Sequence, residues 1–407
     1  MNKDHCHDVV IVGSGPAGIA AATELRHLGV RDVLLLEREG SLGGVPRHCG
    51  HRAFGLAEFG RLLRGPDYAC RLAHTVADVR VMCDTSVISL HPAGVLTVNS
   101  KAGTQQIKGR CVLLATGTRE TPRSARMVSG TRPWGVMTTG ALQQFVYLKR
   151  LSPCRRAVIV GSELVAYSAL LTLRHAGARA VAMIETGPRA IAFPRLGALA
   201  PAVFGTRLIT EAELIAIHGD PCITGVEIER NGQRDIIYCD AVIFTGEFVP
   251  ESALVRASHL DVDTGTGGPV VDQYGRCSDP AYFAAGNLLR PVEPAWRAWY
   301  EGRAVAKAIA GVIRGELSTP HQHSLIFASP PLQFVCPQRH AAGGEMLAAI
   351  GLHVRTTRQV RGRLQVFADG HEICSRQVSV GPLRRIDIPV DPEAVSAACL
   401  DIRISED

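Results

Sequence analysis

An α/β architecture is predicted for the 407-residue chain: two Rossmann-like three-layer dinucleotide-binding domains followed by a small C-terminal all-β domain. Three observations predict it. A glycine-rich strand–turn–helix pattern opens the chain. A damaged copy of that pattern begins at Ala157. The segment 319–407 then changes to alternating and β-branched runs.

Residues 8–18 read Asp-Val-Val-Ile-Val-Gly-Ser-Gly-Pro-Ala-Gly, and Glu37 closes the apolar run Val33-Leu34-Leu35-Leu36. Each part has a physical task. Val9 to Val12 form a buried strand. Gly13 permits the sharp turn, Gly15 lets backbone approach a pyrophosphate, and Gly18 lets the next helix pack on the strand. That helix, about Pro16 to Leu28, aims its N-terminal amides at phosphate oxygens. Glu37 stands 19 positions after Gly18, where a carboxylate can bind an adenosine ribose hydroxyl. The first segment, about 1–125, ends on the strand Cys111-Val-Leu-Leu and the tripeptide Ala115-Thr116-Gly117.

The middle segment repeats the shape. Ala157-Val-Ile-Val-Gly161 reads as a strand and turn, Leu164 to His175 as a helix, and Ala180 to Glu185 as a strand. It ends at Ala241-Val-Ile-Phe-Thr-Gly246, the counterpart of 111–117, so the chain carries an internal repeat at the level of fold. Beyond it come Phe283-Ala-Ala-Gly286-Asn287 and a helix from about Glu301 to Arg314. In 319–407, the runs 352–355, 363–367, 372–380 and 385–390 read as strands, and Asp369-Gly370 as a hairpin turn.

Composition excludes several classes. The chain is 46% hydrophobic, enough for more than one core. Its net charge of +6 comes from 44 basic and 38 acidic residues that are interspersed, which argues against a nucleic-acid partner. No run reaches the ~18 apolar residues of a membrane span, and no signal peptide precedes the first strand. The 12 cysteines form no CxxC pair, which argues against zinc, an iron–sulfur cluster and a redox dithiol. A reduced cytoplasmic setting is expected.

The ordered motifs Gly13-x-Gly15-x-x-Gly18, Ala115-Thr-Gly117 and Phe283-Ala-Ala-Gly286-Asn287 resemble the two-dinucleotide-domain FAD oxidoreductases of the pyridine nucleotide-disulfide reductase type. The resemblance implies a discontinuous FAD domain over 1–125 and 266–318, a second Rossmann-like domain over 126–265 and a C-terminal β domain over 319–407. It implies that Gly13, Ser14, Gly15, Pro16, Ala17 and Gly18 hold the FAD pyrophosphate, with Glu37 and Arg38 at the adenosine ribose. Gly43, Gly44, Val45 and Arg47 would pass close to the cofactor. Ala115, Thr116 and Gly117 would lie against its middle, and Gly286 and Asn287 at the ribityl and pyrophosphate region. The family's usual residue at 287 is Asp.

Arg132-Pro-Trp-Gly-Val-Met-Thr-Thr-Gly-Ala141 and Gly43-Gly-Val-Pro-Arg-His-Cys-Gly50 are similar to segments of flavoprotein subunits of heteromeric dye-linked dehydrogenases, such as opine and hydroxyproline dehydrogenases and hydrogen cyanide synthase. The resemblance implies oxidation of an amine, imino acid or hydroxy compound by hydride transfer to flavin, with other oxidoreductase subunits or a second copy as partners. An NAD(P)H-dependent flavoprotein reductase and a non-catalytic FAD-binding scaffold are the alternatives.

Departures from the pattern bear on mechanism. The second fingerprint carries Glu163 where its central glycine belongs. A carboxylate there faces a doubly charged pyrophosphate, so a degenerate NAD site is expected. The alternative is that Glu163 swings out and NADH still binds, with Glu185 as ribose ligand. Only Cys49 follows the Gly43-Gly44 pair, so a catalytic dithiol is not expected.

The catalytic candidates are His48, Cys49 and His51. The histidines would shuttle protons and the cysteine would serve as a redox-active or adduct-forming thiol, with Arg47 or Arg52 binding a carboxylate or reduced flavin. The alternative is that these residues merely bind FAD phosphate or brace the loop. Trp296, Trp299 and Tyr300 would wall the flavin, form a partner surface or pack a helix. Met137 and Phe145 read as core. The C-terminal domain is expected to be an interaction module or an intramolecular brace, and its deletion to leave FAD binding largely intact.

Overall fold

The computed structural model describes residues 5–192, 203–318, 323–341, 351–382, 384–389 and 398–406. Its first sheet is built around the strand Cys6–Val12, flanked in parallel by Val33–Leu36 and by the inner half of the long strand Gly103–Leu114. Arg80–Met82 extends one edge beyond Val33–Leu36. The outer half of Gly103–Leu114 instead pairs antiparallel with Val95–Ser100, which pairs with Ser86–His91. Tyr282–Ala284 pairs in parallel with residues 112–114, so chain from beyond the middle segment completes this sheet.

Val33–Leu36 is buried at every position, as a strand covered on both faces requires. One face carries the helices Pro16–His27 and Ala295–Arg314. They meet so closely that a Cβ on Gly302 would stand 2.1 Å from Ala17 O.

The second sheet is fully parallel, in the order Val136–Thr138, Ala241–Phe244, Arg156–Val160, Arg179–Ile184, Arg207–Ile209. Helix Leu164–His175 covers one face through Ala166, Ala169, Leu170 and Leu173. A meander of Ala212–Gly219, Ile223–Arg230 and Gln233–Tyr238 covers the other. The two crossings between the sheets run side by side: Thr118–Glu120 pairs antiparallel with Phe248–Pro250.

The C-terminal strands form a sandwich. Its larger sheet contains His323–Ala328, Cys399–Glu406, Val360–Ala368 and His371–Val380, and its smaller one Leu332–Cys336, His353–Thr356 and Ile386–Asp387. Asp369 and Gly370 both take positive φ, 47° and 87°, the pairing that a two-residue hairpin turn needs. The expected strand 385–390 shortens to Ile386–Asp387, and residue 390 lies outside the described residues.

This sandwich packs on the first unit. Phe334 and Cys336 sit in the same apolar cluster as Val10, Leu114 and Tyr282. Gln338 Oε1 accepts from Val271 N, and Gln273 pairs with the backbone of Ala341. The intramolecular brace is therefore present.

Two local expectations need correction. The last long helix starts at Ala295, with Pro294 extended at its N-cap, and not near Glu301. Trp296, Trp299 and Tyr300 are therefore helical: Trp299 packs on the core while Trp296 and Tyr300 are exposed. Phe145 is 40% exposed and is not core, whereas Met137 packs against the middle cluster. No described helix is long and apolar enough to cross a membrane.

Candidate functional site

The first glycine loop is held from both sides. Gly13 has φ +101° and donates to Leu36 O, and a Cβ on it would meet Ala115 O at 2.5 Å. A Cβ on Gly18 would meet Gly13 O at 1.9 Å, so these glycines are required by the fold itself. Gly15 differs, because a Cβ there meets no protein atom within 4 Å. Its backbone faces open space at the start of the helix Pro16–His27, which fits a pyrophosphate drawn in by the helix N-terminus.

Glu37 is aimed at this loop. Its Oε2 accepts from both the amide and the hydroxyl of Ser14, and its Oε1 from Glu39 N at 2.9 Å. Arg38 beside it is exposed. Gly43 N donates to Ser14 O, and Gly44 passes so close that its Cβ would stand 2.8 Å from Gly15 Cα. Val45 is exposed, and Arg47 is ion-paired with Glu39.

Ala115 joins through its contact with Gly13. Thr116 Oγ1 donates to Glu251 O, and Gly117 O accepts from Glu251 N, which ties this turn to the returning crossover. Gly286 lies against Ala17, with its virtual Cβ at 2.9 Å, and its N–H donates to Glu301 Oε2 at 2.7 Å. The assigned residues thus meet around the entrance of one helix, an arrangement that fits FAD.

Asn287 is turned elsewhere. Its Nδ2 donates to Glu293 O and its Oδ1 accepts from Glu293 N. An aspartate could not donate, so asparagine at this position is explained by the turn it closes.

The second loop preserves the frame of the first. Gly161 N donates to Ile184 O as Gly13 N does to Leu36 O. Thr245 N donates to Val160 O as Ala115 N does to Val12 O, and Ala192 N to Ser162 O as Gly43 N does to Ser14 O. Ser162 Oγ donates to Glu185 as Ser14 Oγ does to Glu37.

Glu163 thereby corresponds to Gly15 and Thr245 to Ala115. Both are larger, and they meet: Thr245 Oγ1 donates to Glu163 Oε2 at 2.8 Å. The carboxylate folds back over the loop, close enough that a Cβ on Gly246 would stand 2.3 Å from Glu163 Oε1. Burial pushes the Glu163 carboxyl up, and the nearby Glu185 adds to this.

Among the described residues, no direct hydrogen bond joins the three catalytic candidates to one another. Burial pushes His48 down to about 4, so its ring is neutral near neutral pH. Cys49 is buried, and its thiol is pushed up to about 12 by burial and then by Glu120. Its Sγ faces Val45 O and Gln143 Oε1. This geometry argues against a thiolate nucleophile at Cys49. His51 Nδ1 lies 3.0 Å from Ser168 Oγ, which accepts from Gln143 Nε2, and burial lowers its pKa too. Cys49 and His51 therefore meet through Gln143 and Ser168 and join the loop to the middle unit. Arg52 is exposed at the edge of a short hairpin.

Sequence reasoning missed three polar residues here. Glu301 caps Gly286 N, and the fully buried Arg290 donates to Glu301 Oε1 at 2.8 Å. Glu120 accepts from Gly140 N, and burial raises its carboxyl. None of the three lies in a recognisable local motif.

Residues 7–303 match the family described as pyridine nucleotide-disulphide oxidoreductase. The chain is similar to the alpha subunit of sarcosine oxidase from Rhizobium meliloti, 28% identical over 260 residues that cover 60% of this chain and 25% of that protein. It is also similar to an opine oxidase subunit from Agrobacterium tumefaciens, 23% identical over 431 residues, covering 98% of this chain and 77% of that one. The chain spans well under half the length of the sarcosine oxidase relative and of an opine oxidase subunit from Rhizobium meliloti, 25% and 38%. The fold resembles thioredoxin reductase of T. acidophilum, with a TM-score of 0.64 and 21% identity over 76% of this chain and 99% of that chain. The chain belongs to the pyridine nucleotide-disulphide oxidoreductase family, a family of FAD-dependent oxidoreductases.

Proposed function

We propose that this chain is the FAD-binding flavoprotein subunit of a heteromeric dehydrogenase. It takes electrons from an amine, imino acid or hydroxy compound and passes them to a partner without using NAD(P)H. The observation that carries this reading is the Glu163–Thr245 pair on the second nucleotide loop. A carboxylate sits where the central glycine of a pyrophosphate cradle belongs, and a matching threonine holds it there. Similarity to subunits of sarcosine oxidase and opine oxidase supports the substrate class and the partner chains.

FAD supplies the two-electron acceptor. The chain's own residues bind and position it. Amides at the start of helix Pro16–His27 would hold the diphosphate, and Glu37, oriented by Ser14, would hold the ribose. Burial holds His48 down to about 4, which makes it a weak base, so His51, whose pKa burial also lowers, is the better candidate of the two to accept a proton beside the Gly43–Gly50 loop. Cys49 serves as a packed, protonated thiol.

The retained Ser162–Glu185 pair favours a second reading, a reductase fed by a pyridine nucleotide. The proposal is tested by purifying the chain with its co-encoded subunits. Dye reduction is then assayed with sarcosine, an opine, proline and a hydroxy acid, first for the separated chains and then for the assembly. Turnover that needs the assembly and no NAD(P)H supports the proposal. Turnover that starts only with NADH or NADPH contradicts it.

A further inference from the structure

The family match ends at residue 303, and sequence reasoning assigns no chemistry to the C-terminal β domain. The structure sends one of that domain's side chains into the first unit. Arg355, on the strand His353–Thr356, is 4% exposed and reaches the turn Pro291–Glu293. Its Nη1 donates to Pro291 O at 2.7 Å, and its Nη2 donates to Val292 O at 3.1 Å and Glu293 Oε1 at 2.8 Å. Three acceptors on one turn suit the planar guanidinium fork and not a lysine point charge. Arg290 and Arg385 flank the same carboxylate at 3.7 and 3.8 Å.

The gripped turn is strained. Val292 has φ +69°, in the left-handed region that a β-branched residue rarely enters. Such a conformation is costly and persists where its surroundings over-determine it, commonly at ligand sites. The turn is also coupled to Gly286 and Asn287. Asn287 pairs with both backbone groups of Glu293, and Gly286 N donates to Glu301, which Arg290 holds.

We propose that Arg355 is a cofactor-positioning residue: through it the C-terminal β domain clamps the strained turn 290–293 and so sets the backbone at Gly286 and Asn287 for FAD. This rests on the reading of Gly286 and Asn287 as FAD-binding residues, Asn287 through its backbone because its side chain is engaged by Glu293. It replaces the expectation that residues 319–407 are dispensable for the cofactor.

The test uses full-length Arg355→Lys and Glu293→Gln, each purified with FAD. The lysine keeps the charge and loses the fork. The glutamine keeps the shape and removes the counter-charge. FAD dissociation rate and the visible flavin spectrum are measured beside the melting temperature of the apoprotein. Release at least tenfold faster than wild type, with a shifted flavin band and an apoprotein that still melts cooperatively, is expected for Arg355→Lys. A mere brace would lower the melting temperature and leave both flavin readouts unchanged, and that result in both variants overturns the proposal. If Arg355→Lys fails to fold, Glu293→Gln decides alone. If wild type binds no FAD, the cofactor reading fails first and the proposal falls with it.

Discussion

The Glu163 carboxylate accepts a hydrogen bond from the Thr245 hydroxyl at 2.8 Å, and the corresponding residues in the first unit are Gly15 and Ala115. One change puts charge and bulk on the loop. The other supplies the donor that keeps them there. The pair places an internally satisfied polar contact where the first loop has Gly15 and Ala115.

Reversing the pair should restore the cradle. The double variant Glu163→Gly/Thr245→Ala is expected to bind NADH at least tenfold more tightly than wild type, because a like charge within ~4–6 Å of the diphosphate is removed. Isothermal titration of the apoprotein with NADH and ADP-ribose measures this. Equal affinity for wild type and variant would show that the carboxylate is not the obstacle.

The converse experiment is Gly15→Glu. A Cβ there meets nothing within 4 Å, so the fold should tolerate it. FAD binding should fall by on the order of a hundredfold or more, since the new carboxylate would face the diphosphate. Unchanged circular dichroism with colourless protein is the expected result. A yellow, fully loaded variant would displace the diphosphate from this loop.

His48 makes stability depend on pH. Burial depresses its folded-state pKa from 6.5 to about 4, so the neutral form is favoured in the fold. Its contribution is complete above pH 6.5 and is lost as pH falls toward 4. Across that window wild-type apoprotein should lose about 3 kcal/mol more than His48→Gln does. Urea unfolding at several pH values measures it, and parallel curves for the two proteins would mean that His48 is protonated or exposed.

Cys49 should be dispensable for chemistry. Its thiol is pushed up to about 12, and native protein should resist alkylation there while the exposed Cys6, Cys70 and Cys222 react. Cys49→Ala is expected to keep FAD and to keep the rate of flavin reduction within about twofold. A folded, FAD-loaded variant that cannot be reduced by substrate would return Cys49 to the chemistry.

The sequence makes the frame legible because the frame is local. Strand, turn and helix around Gly13–Gly18 lie within one short stretch, and their glycines answer to backbone contacts that the pattern encodes. The Asp369-Gly370 turn is legible for the same reason. Partners across the chain are not. Glu163 and Thr245 are separated by 82 positions, Arg355 and Glu293 by 62, and His51 and Ser168 by 117. No hydrophobic period or turn chemistry records such polar pairings. Asn287 shows the limit from the other side: its identity invited a comparison with aspartate, but its role is set by Glu293, which only the folded turn brings to it.

If Glu163 and Thr245 close the second loop, electrons must reach the flavin without a pyridine nucleotide. Anaerobic titration of the FAD-loaded protein with NADH, NADPH and then dithionite, followed at the visible flavin band, decides this. No bleaching by either nucleotide and full bleaching by dithionite are expected. Rapid bleaching by NADH or NADPH would contradict the proposed function, and with it the exclusion argued from Glu163 and Thr245.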